Sequence, residues 1–387
     1  MQNFTYSNPT RVVFGRDTIK RIGLEIRQQS IQKVLLLYGR ASIFENGVYK
    51  AVTASLNEQG VEFIELGGIQ PNPLLSKVRE AISLARQHQV QGILAVGGGS
   101  VIDSAKAVAL GVHYQGEVWD FFENRVRAKA ALPVFTVLTL SATGSEMNQF
   151  AVITKEDEQK KWSISSPLLY PRVSIIDPLA QTSLSSQQTV NGAVDALSHI
   201  FEYYFDGLED TDLQDEIAEG IIRTIIRHVK ILVAQPSNYE SRAQLAWCAA
   251  MALNGTVGIG HKGGDWASHS IEHSLSALYD IDHGRGLAVI MPAWMRYVSA
   301  VDYTKFERLA ERVFNIYDID AETKSLEAII SLRDLYLRLG APVTLRELGI
   351  PYADLERIAD NATIEAPLGT FKKLFRGDVL EILKLAY

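Results

Sequence analysis

The sequence predicts a parallel α/β sheet covered by helices in its N-terminal half and an all-helical C-terminal half. Three observations carry this expectation. Up to about residue 180, short apolar β-rich runs alternate with helical stretches, as in parallel sheets buried on both faces. After Pro178 the strand-like runs give way to long helical periods. Two loops rich in glycine or hydroxyl residues, Gly97-Gly-Gly-Ser100 and Thr139-Leu-Ser-Ala-Thr143-Gly-Ser145, each follow a strand-like run.

Taken in order, Lys33 to Tyr38 reads as a buried strand ending at Gly39, residues 45–59 as a helix and Val61 to Glu65 as a second strand. Pro71-Asn-Pro73 marks a turn before a helix from Leu75 to Gln87. Gly92 to Val96 is a third strand, running directly into the glycines and a helix from Val101 to Leu110. Pro133 to Thr139 and Val173 to Ile176 add two more strands. Helical periods then cover 188–206, 212–234, 240–257, 266–279, 284–300, 303–315, 323–339 and 376–386. In the first of these, Val190, Val194, Leu197, Phe201 and Tyr204 form an apolar stripe. Two domains are expected, residues 1–182 and 183–387.

Composition narrows the function. The 387 residues are 47% hydrophobic and 21% charged, enough for a large packed core. A formal net charge of -7 argues against a general nucleic-acid surface. Cys248 is the only cysteine, which excludes an intrachain disulfide and a thiolate cluster, and its helical neighbourhood suggests a small core residue. The first residues lack the basic segment and apolar core of an export signal, and the apolar runs are too short to span a bilayer. A cytoplasmic protein is expected.

The chemistry concentrates in two sets of residues. Asp195 and His199 stand four apart in a helical run, so a carboxylate and an imidazole share one face. His269 and His273 share another helical face, and His283 follows the Asp280–Asp282 turn, free to fold back. Asp195, His199, His269 and His283 together form a borderline-hard donor set suited to catalytic Zn²⁺ or Fe²⁺. A lone histidine can equally be a satisfied core residue. The His269-Ser-Ile-Glu-His273 run also differs from the zinc-protease pattern, with Glu272 in the wrong place for that general base. His261 lies in a glycine-rich loop and carries no metal assignment.

The second set is the glycine and hydroxyl loops. Gly97, Gly98, Gly99 and Ser100 can bring backbone N–H groups and a helix start to a pyrophosphate, or can simply make a tight turn. Asp103 can cap or orient that segment. Thr139, Leu140, Thr143 and Ser145 can contact phosphate, ribose or nicotinamide, or form a polar turn. Two such loops at strand ends favour an edge-of-sheet crevice. After the first strand, Gly39-Arg40-Ala-Ser42 offers donors and no immediate carboxylate, which tilts the expected cofactor towards NADP(H) over NAD(H), unless Arg40 is simply solvated. Trp119, Phe121, Phe122, Phe150 and Trp162 are candidate pocket aromatics, though each also fits a core.

With these motifs in view, the chain resembles the iron-containing, or group III, alcohol dehydrogenases, especially the butanol dehydrogenase and aldehyde reductase branch. The marks are Gly97-Gly-Gly-Ser-Val-Ile-Asp103, Thr139-Leu-Ser-Ala-Thr-Gly-Ser-Glu146, Asn191-Gly-Ala-Val-Asp-Ala-Leu-Ser-His199, His269-Ser-Ile-Glu-His273 and Asp282-His-Gly284. The likeness runs from Asn8 to the C-terminus. It implies a Rossmann-like domain and a helical metal-binding domain, the fold shared with dehydroquinate synthase, with a cleft between them. It assigns the metal to Asp195, His199, His269 and His283, sets His273 near nicotinamide and substrate, points Lys161 towards a cofactor phosphate, and adds Asn72 and Leu184 to the expected cofactor contacts. It further implies a homodimer acting on small aliphatic alcohols or aldehydes such as butanol and butanal. A metal at the site would polarise the aldehyde oxygen, with a proton relay that includes His273. An NAD-dependent polyol dehydrogenase, for glycerol or a diol, is the rival expectation. Related butanol dehydrogenases often carry Gly-Gly-Gly-Ser where this chain has Gly39-Arg-Ala-Ser42.

Overall fold

The protein is described from a computed structural model covering residues 1–365 and 367–387. The chain forms two compact units: Ser7–Leu184 with Gln235–Ala250, and Met1–Tyr6 with Ser185–Ala234 and Met251–Tyr387.

The first unit holds the strands, in chain order β1 (Arg11–Phe14), β2 (Lys33–Tyr38), β3 (Glu62–Leu66), β4 (Gly92–Gly97), β5 (Val134–Leu138), β6 (Phe150–Lys155), β7 (Lys160–Ser165) and β8 (Val173–Ile176). Six of them make one parallel sheet of order β1-β8-β5-β4-β2-β3, while β6 and β7 form a separate antiparallel hairpin. Helices α1 (Ile22–Gln28), α2 (Ser42–Glu45), α3 (Val48–Glu58), α4 (Leu75–Gln87), α5 (Gly99–Gly111) and α6 (Trp119–Phe122) alternate with the strands. The sheet's alternate residues feed two separate cores. Leu35, Leu37, Ile93 and Ala95 pack with α4 and α5, whereas Val34, Leu36, Leu94 and Val96 pack with α1 and α3. Each large apolar side chain buried this way contributes roughly 1.5–3 kcal/mol. That is why the strands read as unbroken apolar runs.

The remaining helices are α7 (Ser186–Tyr204), α8 (Asp212–Ala234), α9 (Tyr239–Leu253), α10 (Ala267–Tyr279), α11 (His283–Val298), α12 (Thr304–Leu309), α13 (Ala321–Arg338), α14 (Leu355–Ala362) and α15 (Arg376–Leu385). In the second unit α7 packs on α8 and α11, and α10 packs on α11 and α14. Among the described residues no helix is long and apolar enough to cross a membrane.

An α/β unit and a helical unit are therefore both present, as the fold class required. The expected split at 182/183 needs two corrections. Most of α9 belongs to the α/β unit, because Ala246 and Ala250 join the strand core and Trp247 meets Phe14 edge-on. Residues 1–6 belong to the helical unit, where the Gln2 N–H donates to the Gly260 carbonyl at 2.8 Å. Local differences have local causes. The helix expected over 45–59 is interrupted before Val48, where Gly47 takes a φ of 79°. The helix expected over 303–315 widens into a π turn at Ala310–Phe314 and stops at left-handed Asn315.

Candidate metal centre and cofactor loops

Helix α7 starts at a capping box: the Gln188 N–H donates to Ser185 Oγ at 3.2 Å, and Ser185 N–H donates to Gln188 Oε1 at 3.2 Å. This fixes the start of a 19-residue rod that carries Asp195, His199 and Glu202 on one side. Helix α10 supplies His269 and His273, and His283 is the first residue of α11. Ligand atoms of Asp195, His199 and His269, all buried, lie within 4.8 Å of one another. Asp195 Oδ1 is 3.6 Å from Nε2 of both His199 and His283. The His199 and His269 rings stack with centroids 4.9 Å apart, and His283 stands 5.3 Å from His269.

An imidazole binds a metal through its neutral form. Burial, then His269 and His283, pull the His199 pKa well below its ordinary value. His199 Nδ1 and His269 Nε2 are buried without a hydrogen-bond partner. The unpartnered His269 Nε2, held dry near the Asp195 carboxylate that His199 Nε2 also faces, suits a divalent cation. His273 is half-buried, with its ring 5.5 Å from His283 and 6.5 Å from His269.

In the α/β unit, the loops after β2, β4 and β5 leave the carboxyl ends of three adjacent strands. A chain reversal of sheet order falls between β2 and β4, the place where such sheets receive nucleotides. The three glycines permit close approach: a Cβ on Gly97 would meet Val101 at 2.4 Å, and one on Gly99 would meet Thr143 at 2.5 Å. Gly98 faces Leu140, at 3.2 Å from such a Cβ. The 139–145 loop thus lies directly on the 97–100 turn. Lys161 Nζ, on β7, donates to Asn72 Oδ1 at 2.9 Å. Gly39 is partly buried, while Arg40 and Ser42 are exposed at the start of α2.

Against known proteins, residues 9–178 match the family described as iron-containing alcohol dehydrogenase, and residues 189–387 match that family's C-terminal domain. The chain belongs to the iron-containing alcohol dehydrogenase family. A crystal structure of an NADH-dependent butanol dehydrogenase A from Thermotoga maritima is 51% identical, with a TM-score of 0.98 over 100% of this chain and 99% of that one. A Bacillus subtilis (strain 168) protein named "Probable NADH-dependent butanol dehydrogenase 2" is 44% identical over 99% of both chains. "NADPH-dependent aldehyde reductase YqhD" of Escherichia coli (strain K12) is 35% identical over 90% of both. This member of the family is therefore an alcohol or aldehyde oxidoreductase, and membership implies a divalent metal and a nicotinamide cofactor.

Some expected contacts of this dehydrogenase turn inward. Asp103 accepts from Ser145 Oγ at 2.5 Å and from the Val152 N–H at 3.0 Å, so both its oxygens are engaged inside the fold. Ser145 also receives Lys106 Nζ at 2.8 Å. These side chains brace the loop from within the fold. Leu184 ends the α/β unit, its carbonyl accepting from Arg242 at 3.4 Å. His261 is buried rather than displayed on a flexible loop, with Nδ1 3.3 Å from Asp206 Oδ1. Trp119, Phe121 and Phe122 are core residues; Trp119 stacks on Phe122 and on Trp162, and Phe150 opens β6.

Glu146 is buried beside this network, near Lys106 and Asp103. Burial pushes its pKa up from 4.5 to about 7, and burial also pulls Lys106 down to about 8. A raised carboxyl pKa gives stability that is full below pH 4.5 and lost as pH rises through about 7. Glu146→Gln should therefore flatten that decline and stabilise the enzyme above pH 7 by at most about 3 kcal/mol. Urea melts at pH 5 and pH 8 test it; parallel losses in both proteins would refute the assignment.

Two buried carboxylates have roles that sequence reasoning did not find: Glu202, which it passed over, and Glu272, which it weighed only as a protease-type base. Glu202 accepts from His269 Nδ1 at 2.6 Å and from Ser268 Oγ at 2.5 Å, and Trp266 N–H donates to its other oxygen. Glu272 accepts from His283 Nδ1 and from Ser276 Oγ, the latter at 2.6 Å. Their signal was spacing, since Glu202 falls three residues after His199 on the same helix side and Glu272 three after His269.

Proposed function

We propose that the enzyme interconverts short- to medium-chain aliphatic aldehydes and alcohols, such as butanal and butanol, using NADP(H) in preference to NAD(H). The observation that carries the chemistry is the convergence of Asp195, His199 and His269 within 4.8 Å around buried nitrogens. Asp195, His199, His269 and His283 would hold one divalent ion, Fe²⁺ or Zn²⁺, which supplies a Lewis acid for the carbonyl oxygen while nicotinamide supplies hydride. Around them the protein's own groups bind and orient. Backbone N–H groups of Gly97 to Ser100 receive the pyrophosphate, Thr139, Leu140 and Thr143 border the cofactor, and Lys161 with Asn72 adds a cationic donor. Half-buried His273 can exchange its proton with solvent and pass it towards the nascent alcohol. We infer a cytoplasmic homodimer from the family likeness.

The lean to NADP(H) is supported by exposed Arg40 and by the lack of a carboxylate from Gly39 to Ser42. The nearby Glu65 carboxylate accepts hydrogen bonds from Tyr49 at 2.6 Å and Tyr38 at 3.4 Å. The second reading, NAD(H) in the same site, is favoured by the relatives named NADH-dependent. Initial rates with butanal decide between them, on metal-stripped enzyme supplied anaerobically with Zn²⁺ or Fe²⁺, using NADPH and NADH in turn. A higher kcat/KM for NADPH is expected. Arg40→Ala should then lower the NADPH-to-NADH ratio about tenfold, the worth of one exposed charge-assisted hydrogen bond. An unchanged ratio would remove Arg40 from the 2′-phosphate site.

A further inference from the structure

We propose that Glu202 and Glu272 are positioning residues for the metal, each locking one imidazole ligand in the tautomer that turns its Nε2 lone pair to the ion. This rests on the ligand assignment above. A neutral imidazole carries one N–H, and an ionised carboxylate can only accept. Nδ1 of His269 against Glu202 therefore bears the proton, as does Nδ1 of His283 against Glu272. The nitrogens left over are the ones that converge. His269 Nε2 is buried with no hydrogen-bond partner, and His283 Nε2 faces Asp195 Oδ1 at 3.6 Å.

Both glutamates are almost wholly buried, Glu202 at 1% and Glu272 at 0% exposure. Burying a carboxylate is costly unless it is hydrogen-bonded and its charge is offset. Hydrogen bonds from Ser268, Trp266 and Ser276 meet part of that cost, and a divalent ion one imidazole away would meet the rest. The backbone also reserves the space. A Cβ on Gly286 would come within 2.6 Å of Glu272 Cγ and 2.7 Å of its Oε1. His199 has no such carboxylate, because its Nδ1 is buried without a partner. The support is therefore confined to the two ligands from α10 and α11, which reach the α7 donors from separate elements.

A rival arrangement is visible too. Ligand atoms of Glu272, His273 and His283 also lie within 4.8 Å of one another, so Glu272 could itself bind a second ion. Stoichiometry separates the two.

The test uses full-length enzyme stripped of metal and titrated anaerobically with Co²⁺, read by its visible absorption bands and by competition with a chromophoric chelator. Wild type should bind one Co²⁺ per chain. Glu202→Gln and Glu272→Gln should each still bind one, about 10- to 100-fold more weakly. Their bands should shift, and butanal turnover should recover in part at saturating metal. Circular dichroism of the metal-free proteins reports the fold; if a glutamine variant fails to fold, Ser268→Ala and Ser276→Ala release the same carboxylates more gently and should weaken binding in the same direction. Wild-type affinity in folded variants would overturn the proposal. So would a second wild-type Co²⁺ equivalent that Glu272→Gln abolishes. Wild type that binds no Co²⁺ would overturn this proposal and the ligand assignment together, whereas intact wild-type binding with unaffected variants leaves the ligand assignment standing.

Discussion

Asp195→Ala is expected to lower kcat/KM for butanal reduction about a thousandfold and to strip the metal from the purified enzyme. The substitution removes the single anionic donor of the proposed set, and its Oδ1 is the atom that Nε2 of both His199 and His283 face at 3.6 Å. A Lewis acid at a carbonyl oxygen is worth several kcal/mol, and about 4 kcal/mol is a factor of roughly a thousand in rate. Without the carboxylate, three imidazoles would face a dry space with nothing to balance a dication. Metal content by mass spectrometry and initial rates are the paired readouts. Near-normal turnover and a full complement of metal would remove Asp195 from the chemistry and leave His199 as the α7 contribution to the site.

The second large effect is on packing. Gly284→Ala should destabilise the enzyme by about 2–3 kcal/mol and lower its melting temperature by roughly 2–4 °C. An added Cβ at Gly284 would sit 2.2 Å from the Asn191 carbonyl oxygen and 2.8 Å from its Cα. Those are backbone atoms of α7, which cannot swing aside as a side chain would, so α11 must back away. Its first residue is His283, so the same substitution should also weaken metal binding. A calorimetric melt indistinguishable from wild type would show that the two helices have slack that the structure does not display.

Strong periodicity was legible and weak periodicity was not. β2, β4 and β5 are interior strands whose residues are almost all buried, and their apolar runs announce them. β1 is only Arg11–Phe14, exposed at both ends, and β6 and β7 form a hairpin whose charged turn hides the alternation. The 3.6-residue spacing also reveals Asp195 with His199 and His269 with His273, because each pair lies within one helix. That His283 meets them depends on Asp280, left-handed at φ 53°, ending α10 and letting α11 start with that histidine. No local pattern encodes such a turn in space. The same limit concealed Glu202 and Glu272: a glutamate near a histidine in sequence is common, and only the folded arrangement reveals which nitrogen it faces. Ser145 reads as a ligand contact because polar residues in glycine-rich loops look available, and sequence could not show that Asp103 and Lys106 already engage its hydroxyl.

The chain passes between the two units four times, after Tyr6, Leu184, Ala234 and Ala250. Neither half can therefore be lent to another protein as one uninterrupted stretch. A recombination event that copied residues 185–387 would carry α9 away from its alanine-lined seat among the strands and leave Met1–Tyr6 behind. The recipient would gain an orphan helix, and any α/β half made without residues 235–250 would lack part of its core. Diversification of such an enzyme is thereby steered towards substitutions and loop insertions, and away from the swapping of whole halves.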